Sequence, residues 1–176
     1  MKPFIQRILI LFAMLQVSAC SSNIPELIRH VPEGDVQPAE VQGDAQRFVG
    51  TQVRWGGTIA QTQNREEFTE VEVVSRALDS DGEPVSGDSS RGRFIARIDG
   101  FLDPLIYAEK RNITVSGRVA GAVERNIGER SYIFPVVEVK VHYLWPERKP
   151  QQCYHCDPYL DPWWPYRPYW PYGPYY

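Results

Sequence analysis

Three cysteines carry most of the covalent chemistry open to this 176-residue chain. Cys20 follows Ser18 and Ala19 at the end of an apolar run, and its thiol is a group to which a lipid can be attached through sulfur. Cys153 and Cys156 form a C-x-x-C around Tyr154 and His155, a spacing that serves a local disulfide, part of a metal site or a redox pair. One C-x-x-C and one histidine fall short of the four ligands of a structural zinc site unless dimerisation supplies the rest. Redox catalysis of the thioredoxin kind needs the motif at the start of a helix in an α/β fold, whereas here it follows a strand and precedes Pro158. In an oxidising compartment a disulfide between Cys153 and Cys156 is the simplest outcome, and redox or metal-dependent chemistry at the pair is the alternative.

Acid–base or nucleophilic catalysis needs converging groups, and the chain offers only His30, His142 and His155. His30 falls in a Pro/Gly-containing stretch, His142 on the expected wet face of a strand and His155 in the C-terminal tail, none with an evident partner. Glu70 and Glu72 alternate on one strand face, a pattern that reads as a solvated edge rather than a glycosidase pair. The acidic loop from Asp79 to Gly92 suggests calcium, but counting from Asp79 puts Pro84 where an EF-hand needs glycine and Ser90 where it needs glutamate. A solvated connection between strands is the better reading. With no Gly-rich phosphate loop, no Gly-x-Ser-x-Gly and no His-Glu-x-x-His, neither a cofactor nor an enzymatic activity is expected.

The elements that must position these residues begin with an address. Lys2 and Arg7 precede an apolar run from Ile8 to Val17, interrupted by Gln16. At about ten residues this is too short to cross a bilayer core, which takes roughly 20 helical residues. Residues 1–19 therefore read as a signal peptide. Val17-Ser18-Ala19-Cys20 resembles the lipobox of bacterial lipoproteins, in which the cysteine becomes the acylated N-terminus. Two or three acyl chains on Cys20 anchor a protein firmly, since each buried CH₂ adds about 0.8 kcal/mol. Among Gram-negative lipoproteins, Ser21 rather than Asp after the cysteine implies an outer-membrane address and a periplasm-facing protein.

Composition allows one folded body: 43% hydrophobic and 23% charged residues are near the globular average. The net charge of −3 becomes about −5 once Lys2 and Arg7 leave, giving no basic footprint for nucleic acid. Residues 20–43, with Pro25, Pro32, Gly34, Pro38 and Gly43, read as a lipidated tether. The body, 44–145, opens with a turn capped by Asp44 and ended by Gly50. Five stretches of period two then follow, around Val53–Ile59, Thr69–Val73, Phe94–Ile98, Ile113–Val123 and Val137–Val141. Gly56-Gly57 and Gly117/Gly121 lie inside two of them, where bulges and bends let a sheet coil. Asp103-Pro104 followed by Leu105 to Asn112 predicts one short helix between strands three and four. The layout predicts a mainly β, OB-like five-stranded barrel with that helix.

The final 31 residues, 146–176, hold 8 of the 15 prolines, 7 of the 10 tyrosines and 3 of the 5 tryptophans. Prolines at this density predict an extended, polyproline-like tail. Its rings, Trp163, Trp164, Tyr166, Tyr169 and Trp170 among them, suit stacking on the sugars of peptidoglycan or lipopolysaccharide, a lipid interface or the groove of another envelope protein. Folding back over the barrel is the plain alternative.

Four segments, Val53-Arg54-Trp55-Gly56-Gly57-Thr58-Ile59, Gly92-Arg93-Phe94-Ile95-Ala96, Gly100-Phe101-Leu102-Asp103-Pro104-Leu105-Ile106-Tyr107 and Ile113-Thr114-Val115-Ser116-Gly117, together resemble the Slp family of outer-membrane lipoproteins, from the lipobox to about Trp145. The resemblance implies a starvation- or stationary-phase-associated lipoprotein of the outer membrane. It implies a place without a reaction.

Overall fold

The structure is a computed structural model that describes residues 23–34 and 36–147. Among them are three short helices, α1 (Glu26–Arg29), α2 (Pro38–Gly43) and α3 (Ala45–Phe48). Five strands follow: β1 (Gln52–Asn64), β2 (Phe68–Ser75), β3 (Arg93–Asp99), β4 (Asn112–Ile127) and β5 (Arg130–Leu144). The sheet closes in a ring in the order β1-β2-β3-β5-β4. Four of its seams are antiparallel, while β3 and β5 meet in parallel over Ile95↔Val136, Ala96↔Val137 and Arg97↔Glu138.

Alternation explains the inside of the ring. Val53, Trp55 and Ile59 of β1, Val71 and Val73 of β2, Phe94, Ala96 and Ile98 of β3, Ile113, Val115 and Val119 of β4, and Val137 of β5 form one buried cluster. Trp55 meets Phe94 edge-on at 5.2 Å, the preferred geometry for paired rings. A second cluster of Ile95, Phe134 and Val136, backed by Val123, Ile127 and Tyr132, joins β3 to the long arm of the β4–β5 hairpin.

The glycines act as expected at one site and differently at the other. Register shifts at Ser116/Gly117 and Val119/Gly121 bend β4, whereas the shift in β1 falls between Ile59 and Gln61, past Gly56-Gly57. Gly57 instead allows close approach of strands, because a Cβ there would sit 1.9 Å from the Val74 carbonyl oxygen.

Two segments differ from expectation. Between β3 and β4 there is a single turn in place of a helix. Asp103 does cap it, its Oδ1 accepting from Leu105 N at 2.8 Å and its carbonyl from Ile106 N and Tyr107 N. Propagation then stops: Thr62 Oγ1 donates to the Tyr107 carbonyl, Lys110 N donates to the Ile59 carbonyl, and Lys110 turns to φ 70°. With Leu105 and Ile106 in solvent and only Tyr107 packed on the core, the segment buries too little apolar surface to offset helix nucleation.

The stretch read as tether carries α1 and α2, and Ile28 and Val41 are fully buried. Arg54, itself buried, donates through Nη1 to the Ile28 and Arg29 carbonyls at 2.9 and 2.8 Å, satisfying the end of α1, and Trp55 Nε1 donates to the Val36 carbonyl at 2.7 Å. Ile24, Leu27, Ile28 and Val31 stand at helical spacing, but over barely two turns bounded by Pro25 and Pro32, too short a pattern to predict this docking. The turn expected at Asp44 is α3, with Asp44 accepting from Arg47 N and Gly50 at φ 81°.

Gly57→Ala should destabilise the protein by about 1–3 kcal/mol through overpacking against β2, measured by denaturant unfolding. Gly43→Ala, with open space at the Cβ position, should change stability far less.

Candidate functional site

A row of outward-facing residues crosses the sheet by register: Gln52 of β1 opposes Arg118 of β4, Arg118 opposes Glu138 of β5, Glu138 opposes Arg97 of β3, and Arg97 opposes Glu70 of β2. Charges alternate along it, as cross-strand neighbours favour. Beside the β3–β5 seam this row borders a groove of about 570 Å³, lined also by Phe68, Asp99, Ser116, Val139 and Lys140.

Glu70 sits at one end of the row and is only 5% exposed. Its Oε2 accepts from Arg65 Nε and Nη2 at 3.1 and 2.9 Å and from Arg125 Nη2 at 2.8 Å; Arg97 Nη2 stands 3.4 Å from Oε1. The three arginines come from the β1–β2 turn, the hairpin arm and β3. Burial pushes the Glu70 carboxyl up, but the guanidinium hydrogen bonds and charges outweigh it and hold the group below the ordinary carboxylate range. Glu72 pairs with Arg93 at 2.6 Å. The solvated carboxylate edge expected on β2 is therefore a paired cluster, because ring closure removes the edge and the hairpin arm brings Arg125 over it.

Arg97 links this cluster to the groove. Its guanidinium lies over the Phe68 ring, 5.0 Å from the centroid, and its buried Nε has no acceptor among the described residues. Arg118 spends Nη1 on the Gly50 carbonyl at 2.7 Å, and Lys140 is exposed at the rim. Three cations, two carboxylates, a buried hydroxyl at Ser116 and an aromatic ring make a surface suited to holding a ligand that bears carboxylates beside apolar or sugar faces.

His142 is half-buried rather than on a wet face. Its Nε2 and the Tyr107 hydroxyl are 2.9 Å apart. Burial lowers the His142 pKa and raises that of Tyr107, so the imidazole is neutral near pH 7. His30 lies 3.3 Å from Glu26 on the surface. In the acidic loop, Asp79 Oδ1 accepts from Asp81 N and Glu83 N, both at 2.9 Å, so that carboxylate organises a turn. Cys20, Cys153, Cys156, Trp163, Trp164, Tyr166, Tyr169 and Trp170 lie outside the described residues, as does His155. Sequence reasoning missed Arg97, Arg118 and Lys140, whose only local signal is alternation with core residues; closure of the ring brings them together.

Fold and site together define a class: a small closed-sheet β protein with a cation-lined groove, whose shifted titratable groups are held in structural pairs. The chain belongs to the outer membrane lipoprotein Slp family, whose family model matches residues 17–175 and so extends past Trp145 through the aromatic tail. The family places it at the outer membrane as a lipid-anchored protein. It is 34% identical over 161 residues to the uncharacterized lipoprotein YeaY of Escherichia coli K12, covering 86% of this chain and 80% of that one. It is 32% identical over 139 residues to the outer membrane protein Slp of the same organism, covering 78% and 73%. An uncharacterized protein of Haemophilus influenzae is 36% identical over 94 residues, about half of each chain, with 53% of this one covered. No solved structure matches the chain.

Glu70→Gln should cost about 2 kcal/mol, less than the ~3–5 kcal/mol of breaking a wholly buried pair, because its arginines are partly exposed and rehydrate. The native protein should lose stability in two acid steps. His142, with its folded pKa depressed, contributes stability that falls away as pH drops below its ordinary value of 6.5. Glu70 contributes stability that is full above its ordinary 4.5 and is lost as pH falls through its lower folded value. Urea titrations across pH should show the lower step flattened in Glu70→Gln and the upper one in His142→Gln.

Proposed function

We propose that this chain is a non-catalytic binding and structural module at the periplasmic face of the outer membrane, anchored by acyl chains on Cys20. The closed ring is OB-like, a reading supported by five strands in the order β1-β2-β3-β5-β4. Its groove holds a carboxylate-bearing envelope polymer. The observation that carries this reading is the convergence of Arg97, Arg118 and Lys140 on that groove.

Peptidoglycan offers both complements: carboxylates on its stem peptides and sugar faces on its strands. Trp163, Trp164, Tyr166, Tyr169 and Trp170 are the stacking side chains, and a Cys153–Cys156 disulfide staples the start of that segment. Glu70 and His142, the chemistry-bearing residues of the described part, are engaged with Arg65, Arg97, Arg125 and Tyr107, which favours binding over catalysis.

The test is co-sedimentation of residues 21–176 with purified peptidoglycan. Arg97→Gln/Lys140→Gln should weaken binding at least about tenfold, the equivalent of one charge-assisted hydrogen bond. Trp163→Ala/Trp164→Ala/Trp170→Ala should weaken it separately. Equal sedimentation of all three proteins, or of none, would remove peptidoglycan as the ligand. Cys20→Ser should leave an unacylated, uncleaved precursor, and mature-sized, membrane-bound protein from that mutant would remove the anchor.

A further inference from the structure

The turn between β3 and β4 is firmly bonded and yet bare. Phe101 is 73%, Leu105 88% and Ile106 54% exposed, three large apolar side chains within six residues. The backbone beneath them is fixed. Asp103 holds the amides of Leu105, Ile106 and Tyr107, Arg111 Nη1 donates to the Ile106 carbonyl at 3.2 Å, and Thr62 Oγ1 to the Tyr107 carbonyl at 2.7 Å. The bonds fix the backbone of Leu105 to Tyr107 with the Leu105 and Ile106 side chains exposed. A clustered apolar surface of this kind marks a contact site.

The length of chain beyond the described residues says what the contact is. α1 begins at Glu26 and Ile28 is fully buried, so only five residues separate Cys20 from the folded part. At no more than ~3.6 Å per residue that leash spans about 20 Å. If Cys20 carries the acyl chains, as proposed above, the ring is kept close against the bilayer surface. The anchored segment and the bare turn are also joined structurally. Gly82 packs on the Ile28 carbonyl, and the Gly82 carbonyl accepts from Thr114 Oγ1 at 2.7 Å. Trp145 Nε1 donates to that same hydroxyl at 2.9 Å, and Arg111 of the turn donates to the Trp145 carbonyl at 2.9 Å.

We infer that Phe101, Leu105 and Ile106 form a second membrane contact, seated in the lipid interface of the leaflet that receives the acyl chains. The contact is apolar. Asp103 and Glu109 accompany Lys110 and Arg111 around the turn, so attraction to anionic headgroups is not its basis and its salt dependence is small. Acylation makes the anchor, and the turn sets the orientation of the ring on the surface. This inference rests on the Cys20 reading and not on the groove or its ligand.

The test uses the acylated full-length protein, with Cys153→Ser and Cys156→Ser, reconstituted in vesicles of phosphatidylethanolamine and phosphatidylglycerol. A polarity-sensitive fluorophore is placed at Leu105→Cys or, as control, at Val49→Cys, another exposed apolar position, preceding the opposite end of β1. The expected result is blue-shifted emission at Leu105, largely lost on adding nitroxide-labelled lipid and unchanged by salt, with water-like emission at Val49. Water-like emission at Leu105 on protein whose mass shows acylation overturns the contact and leaves the anchor standing. The same signal at both sites overturns it, as does a blue shift without vesicles that grows with protein concentration, since the occupant would then be a second copy. A mass showing unmodified Cys20 removes the anchor and, with it, the basis of the inference.

Discussion

The parallel seam between β3 and β5 is the contact on which this structure depends. It is three residue pairs long, yet without it the sheet is open and the inner faces of β3 and β5 lose their cover. So short a seam does not suffice by its hydrogen bonds, each worth about 1 kcal/mol net. It is reinforced on both sides of the sheet, by Ala96 and Val137 within the core and by Ile95, Phe134 and Val136 outside it. Arg125 on Glu70 adds a clamp from the hairpin arm to β2, so that arm is tied to two strands beyond its own seam.

The same closure explains where the charges are. An open sheet with Arg97, Arg118 and Glu138 on its strands would scatter them; wrapped into a ring, it puts them in one row ending at Glu70. Glu70 is fully committed within that row, with three guanidiniums on one carboxylate. Arg97 is shared between a carboxylate, a ring face and a groove.

How much of this the sequence discloses follows from the range of each interaction. Strands are legible because Val71/Val73 or Val137/Val139 against Glu70/Glu72 or Glu138/Lys140 is a local pattern of period two. The bend of β4 is legible at Gly117 and Gly121 for the same reason. The helix expected after Asp103-Pro104 failed although its cap formed, since the cap is local but the burial that sustains a helix is not. Docking of Ile28 and Val41 was not legible, because the apolar spacing of Ile24, Leu27, Ile28 and Val31 covers barely two turns among prolines and Val41 has only Val36 and Ala39 near it. The groove could not be read either, because its cations lie on three strands whose adjacency only closure creates.

The ring pairs its five strands on both sides over much of their length, but β4 and β5 run on as a two-stranded arm to the Gly128 turn. Among the described residues no further strand pairs along the arm's outer edges, and free edges are the template on which foreign strands add and aggregates grow. On a protein confined to a membrane plane, where copies meet in two dimensions, such edges are a hazard. The arm is guarded against it by composition: Pro135 removes a donor, while Glu124, Arg125, Glu129 and Arg130 place charge along its outer half. Resistance to strand exchange between neighbours is thus written into the long arm that leaves the closed sheet.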